Sequence, residues 1–274
     1  MAYGGAGYAL SYSLVEQALV PAIDECTKRY PFSRTSDELL SFCLSDFGID
    51  LTTEKGFHQI DVHGDISGLL SSHPQSPVVS LHHFDGVNPI FPSKNQYESV
   101  NHLMEAAKLD QSRLLQQTIC YHRATNWSFS VSWGYSAHIY ENIFPRSFLK
   151  LPIETFWPFK RSAKPPFYIF KTRFPSGDPC EAPHVFFLES VKNVSIGSNN
   201  QVLTTYKRAA NRNLPPCSSS GNHSADSITQ IRLLSPATRR KQAAKVECCN
   251  VEYVAGLNVA DIKLRPCMNG EVIA

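Results

Sequence analysis

Three glycines within four positions, Gly4, Gly5 and Gly7, constrain this chain more than any other stretch. Only Ala6 separates them, and an apolar run begins at Tyr8. Glycine adopts positive φ freely and, lacking a Cβ, lets another group come against the main chain. Two local readings follow: a tight turn feeding a helix, or backbone donors at a helix start that face a polar ligand. A glycine motif this short does not separate the two by itself.

Helical spacing of Leu14, Ala18, Leu19, Ala22 and Ile23 predicts a helix from Ser11 to about Arg29, with Pro21 kinking it or breaking it in two. Ser36-Asp-Glu-Leu-Leu-Ser-Phe-Cys43 predicts a second helix, with Ser36 or Asp37 as its N-cap. Ile49 to Leu51 reads as a short strand, and Val78 to Asp85 as a buried one. On a strand, His82 and His83 would point to opposite faces. Val100, Leu103, Met104, Ala107 and Leu114 give a third helix, from Gln96 to about Gln117. Beyond Cys120 the pattern alternates. Strands are expected at 125–134, 167–173 and 184–189, so a β-rich module at 120–274 follows a mixed α/β part at 1–119. Trp127, Trp133 and Trp157 are either core residues or platforms for a sugar ring.

The totals exclude several classes. With 42% hydrophobic and 18% charged residues in 274, the chain is globular rather than disordered. A net charge of +2 gives no support to a nucleic-acid partner. A basic excess at 205–247 (Lys207, Arg208, Arg212, Arg239, Arg240, Lys241, Lys245) has no interleaved aromatics and reads as a solvated loop. No apolar run is long enough to span a membrane, and the first residues lack the pattern of a signal peptide. The eight cysteines lack zinc-knuckle spacing. Together with the sequons at Asn126, Asn193 and Asn222 they lean towards an oxidising lumen. Cys248, Cys249 and Cys267 are expected to bridge to Cys180 or Cys217.

Gly-Gly-Ala-Gly-Tyr-Ala-Leu-Ser at 4–11 resembles the Gly-Gly-Ala-Gly-aromatic-x-x-Ser segment of Fringe-like β-1,3-glycosyltransferases, glycosyltransferase family 31. That wider likeness covers about residues 1–90. Nearly the whole chain resembles the plant Fringe-related family that carries a domain of unknown function. Its landmarks recur in order: Ser36-Asp-Glu38, Gly56-Phe-His58, Ser80-Leu-His-His83, Asn126-Trp-Ser-Phe-Ser130, Asp178-Pro-Cys-Glu-Ala-Pro183 and Cys248-Cys249.

The resemblance implies the C-terminal portion of a GT-A type α/β fold followed by the β-rich module. It implies inverting transfer from a UDP-sugar to a glycan or glycoside in the Golgi lumen. Asp37 takes the place of the general base, with Glu38 beside it. Gly4, Gly5, Ala6 and Gly7 lie next to the reaction centre, and His82 and His83 near the acceptor. His58, with His63 second, would help hold Mn²⁺, and Cys26 would bridge to Cys43. No Asp-x-Asp occurs in the chain, although the family normally carries one for the donor and metal. The expectation is therefore an acceptor half without its donor half, a fragment of a type II membrane enzyme whose anchor lies outside these residues. The alternative is a non-catalytic carbohydrate-binding remnant.

Overall fold

The computed structural model describes residues 4–59, 61–72, 74, 78–160, 162, 164–168, 170–197, 199–218, 224–239, 246–253 and 256–268. The chain divides into two units, 1–61 with 78–84, and 62–77 with 85–274. The boundary expected at 119–120 falls inside a strand of the larger unit.

In the smaller unit the first helical run is continuous. It passes from α1 (Tyr12–Leu14) through a π-helical turn (Val15–Leu19) into α2 (Val20–Arg29). Pro21 therefore does not break it. A proline has no N–H to donate and its ring crowds the carbonyl four residues back, and the wider turn that ends just before it makes room. Helix α3 (Ser36–Asp46) is capped by Thr35, whose hydroxyl accepts from the Glu38 amide, rather than by Ser36 or Asp37. Leu19, Cys26, Cys43 and Leu44 form the core between these helices. The Cys26–Cys43 disulfide crosses it, and at the helix ends Asp46 takes hydrogen bonds from Arg29 and Tyr30. Ile49 to Leu51 is not a strand; Ile49 packs on this core instead. Two short parallel strands, β1 (Phe57–His58) and β3 (Ser80–Leu81), complete the unit, so the strand expected over 78–85 spans only two residues.

The larger unit opens with strand β2 (Val62–Gly64) and the short helix α4 (Ser67–Leu70). Helix α5 (Gln96–Asp110) follows, started by a capping box between Asn95 and Glu98. Then come β4 (Gln117–His122), β5 (Trp127–Ser132), β6 (Ser136–Tyr140), helix α6 (Arg146–Leu149) and β7 (Phe156–Pro158). The remaining strands are β8 (His184–Ile196), β9 (Asn199–Arg208), β10 (Gln230–Pro236), β11 (Cys248–Tyr253) and β12 (Val259–Arg265). Eight strands form one sheet in the order β11-β12-β10-β9-β8-β6-β5-β4, antiparallel throughout except for the β10–β12 pair. Its two edge strands are joined by the Cys120–Cys249 disulfide and by the His122–Tyr253 ring contact at 6.3 Å, and the sheet is bent nearly into a barrel. Bringing the edges together shields them from other chains.

The alternation expected of half-buried strands holds in β10, where Ile231 and Leu233 are buried and Arg232 is exposed. By contrast β5 and β6 are buried at every position. The described residues of 167–173 form no strand, and Arg173 makes an isolated bridge to Ile153. The basic stretch is only in part the solvated loop expected: Lys207 is exposed, and Arg240, Lys241 and Lys245 lie outside the described residues. Arg208 ends β9, and Arg212 is buried against Glu141. Cys180 and Cys217 pair with each other, and Cys248 with Cys267. Among the described residues no helix is long and apolar enough to cross a membrane.

Candidate functional site

The glycine segment gathers the residues singled out from the sequence. Gly4 donates its amide to Asp37 Oδ2 at 2.9 Å, and a Cβ on Gly4 would sit 2.8 Å from the Asp37 Cβ. The His82 imidazole lies directly against Gly5, where a Cβ would overlap the ring. Adjacent peptides, with Cα atoms about 3.8 Å apart, thus hold a carboxylate on one side and an imidazole on the other. Only Gly7 has positive φ, +96°, so at Gly4 and Gly5 it is space rather than conformation that demands glycine. Ala6 is fixed in turn: its amide donates to Gln59 Oε1 at 2.9 Å, and its carbonyl accepts from the Ser80 hydroxyl.

Asp37 and Glu38 have different tasks. The Glu38 carboxylate turns back to accept from the Ser33 hydroxyl and the Arg34 amide, securing the chain ahead of α3. Asp37 accepts from Gly4 and, at 3.0 Å, from the Glu38 amide. The Gly4 amide, then the Thr35 hydroxyl, hold its pKa below the ordinary carboxylate value. It is only partly buried, so an ionised carboxylate at a helix N-terminus remains open to a substrate.

His82 and His83 lie beyond the end of β3, not on it. The left-handed backbone at His83, φ 52°, brings both rings to one side, with centroids 3.8 Å apart. The expectation of opposite faces fails because the strand stops one residue before them. Asp61 joins them: its Oδ1 is 2.9 Å from His82 Nδ1, and one ligand atom from each of Asp61, His82 and His83 lies within 4.8 Å of the others. Gln59, absent from the sequence reading, places Nε2 2.6 Å from the same His82 nitrogen. The signal that could have found it is its position two residues before Asp61.

Two imidazoles and a carboxylate make a donor set for a divalent transition metal. One nitrogen of His82 faces both an amide donor and a carboxylate acceptor, and no single imidazole tautomer satisfies both. His58 is not in this group. Its Nε2 is buried without a hydrogen-bond partner, and burial lowers its pKa, keeping the ring neutral. His63 is in the larger unit, where its Nδ1 meets the Gly86 carbonyl and its ring stacks on Phe159.

A second titratable cluster, Glu141, His184 and Asp226, lies in the larger unit. Glu141 Oε1 takes hydrogen bonds from His184, Arg212, Ser224 and the Ala225 amide, and Oε2 takes one from the Cys217 amide. Burial would raise the Glu141 pKa, but these donors, His184 first, hold it down at about 2. Arg208 donates to the other His184 nitrogen. Guanidinium groups fill the place a metal would need, so this cluster reads as a closed ion-pair network.

Among the tryptophans, Trp127 and Trp133 are 1% exposed and belong to the core, whereas Trp157 is 51% exposed. Asn126 is exposed in the β4–β5 turn with φ 59°, and Asn193 is exposed on β8. Asn222 lies outside the described residues.

No curated protein and no solved structure matches the chain. Residues 1–249 match the family described as "Protein of unknown function, DUF604". With all but the last 25 of its 274 residues inside that match, the chain belongs to the DUF604 family.

Proposed function

We propose that this protein is an inverting glycosyltransferase of the Fringe-like, GT-A type, moving a sugar from a UDP-sugar to a hydroxyl of a glycan or glycoside in the Golgi lumen. The observation that carries the reading is the convergence of the Asp37 carboxylate and the Asp61–His82–His83 group on the Gly4–Gly5 dipeptide. Asp37, held ionised by the Gly4 amide, removes the acceptor proton as the hydroxyl oxygen attacks the anomeric carbon. The two glycines let the Asp37 carboxylate and the His82 imidazole close up against the main chain. Gln59 ties the glycine segment to His82, fixing the base and the imidazole in one frame.

Asp61, His82 and His83 would hold a divalent cation, Mn²⁺ by the family resemblance. When bound, it supplies positive charge to the departing diphosphate. The four disulfides, which use all eight cysteines, accord with maturation in an oxidising compartment.

The test is sugar transfer by the natural protein from a set of UDP-hexoses to a glycan library, with and without Mn²⁺. Activity is expected to need the metal and to fall by about a thousandfold in Asp37→Asn, the scale for loss of a general base. Transfer that is unchanged in Asp37→Asn, or absent with every UDP-hexose, refutes the reading.

A further inference from the structure

Trp157 sits at the centre of β7, which pairs antiparallel with β2 so that His63 is opposite Trp157 and Gly64 is opposite Phe156. Its neighbour Phe156 is 4% exposed and points into the protein, so the strand's alternation turns Trp157 outward. The indole does not project into solvent. Its six-membered ring lies over Gly64, where a Cβ would overlap three of its atoms. Gly64 has φ +81°, so both its conformation and its missing side chain suit a ring laid across it. One indole face is thus pinned to the sheet while half of the side chain's surface stays open. The other two tryptophans of the chain are wholly inside.

The segment after β7 returns to it. The Tyr168 ring packs 5.1 Å from Phe156 and its hydroxyl reaches the Phe156 carbonyl, which leaves neighbouring Phe167 48% exposed. A rigid indole that presents one face is the arrangement on which the C–H face of a pyranose packs, because the electron-rich ring face attracts polarised C–H groups. A membrane anchor would instead place its aromatics at a protruding tip.

We propose that Trp157, laid on Gly64, is the platform of a binding site for a neutral hexose unit of a glycan. The ligand class rests on the glycosyl-transfer reading, while the platform rests on the larger unit's own geometry.

The experiment uses the full chain and an array of neutral β-linked hexo-oligosaccharides, followed by titration with the best binder. Succinimide, a neutral quencher, should reach one tryptophan of three, and the bound oligosaccharide should protect it. Trp157→Ala should weaken binding about tenfold or more, and Trp157→Phe should recover part of it, with near-UV circular dichroism confirming that both variants fold. No binding on the array, affinity equal in wild type and Trp157→Ala, or binding instead to phosphatidylserine vesicles that Trp157→Ala abolishes, overturns the proposal. Asp37→Asn separates the two readings. Oligosaccharide binding without any transfer overturns the enzyme reading alone, and transfer without a Trp157 effect on binding overturns the platform alone.

Discussion

Removing the Cys120–Cys249 disulfide should be the most costly single cross-link change in the larger unit. The bridge joins residues 129 apart and ties the two edge strands, β4 and β11, of the eight-stranded sheet. In the chain-entropy account a cross-link stabilises by restricting the unfolded chain, and a loop of that length is worth about 5 kcal/mol. The Cys180–Cys217 bridge lies within that loop and shortens it by about 37 residues, which takes back only about 0.3 kcal/mol because the dependence is logarithmic. The neighbouring Cys248–Cys267 bridge spans 19 residues and is worth about 3 kcal/mol on the same scale. Urea unfolding followed by tryptophan emission reads this unit alone, since all three tryptophans are in it. With a slope of about 2.5 kcal/mol per molar urea, Cys120→Ser/Cys249→Ser should move the midpoint down by about 2 M. Cys248→Ser/Cys267→Ser should move it by about 1.3 M on the same slope. A shift below about 0.4 M for the first pair, or one no larger than for the second, refutes the reasoning. It would mean that side-chain packing of β4 and β11 holds the sheet closed without the bridge.

Mn²⁺ titration by electron paramagnetic resonance should show at least a tenfold loss of affinity in His82→Ala and none in His58→Ala; equal losses would refute the ligand assignment. Gly5→Ala should weaken the same binding without removing a ligand, because the new methyl displaces the imidazole. The larger unit should be acid-labile in two stages. Burial holds His138, at about 3, and His184 below the ordinary histidine value, so their contribution falls as the pH drops below about 6.5. Glu141, at about 2, stabilises fully above about pH 4.3 and loses that contribution as the pH falls towards 2. Glu141→Gln should abolish the second stage and cost about 3–5 kcal/mol at pH 7, measured by urea unfolding across pH. An acid profile identical to wild type would refute the buried-network assignment.

Short-range interactions made the helices legible. The helices starting near Ser11, Ser36 and Gln96 were readable because their apolar spacing and end signals lie within a few residues of each other. The glycine cluster was readable as a place where other groups approach closely, and Asp37 as an acid at a helix start. What the sequence left open was settled by groups distant along the chain. That Asp37 meets the glycine segment depends on the Gly4 amide, 33 residues away. His82 and His83 share a side because β3 ends early, which their own alternation could not reveal. Arg208 and Arg212 read as surface charge, yet His184 takes a hydrogen bond from the first and Glu141 pairs with the second, both distant along the chain. Trp127 sits in an alternating stretch and is buried in the sheet, whereas Trp157, outside every expected strand, is laid flat at the surface by Gly64 on a distant strand. Local spacing fixes which residues can share a helix face. Which distant residues meet depends on how strands pair and the sheet closes, and no short stretch of sequence encodes that.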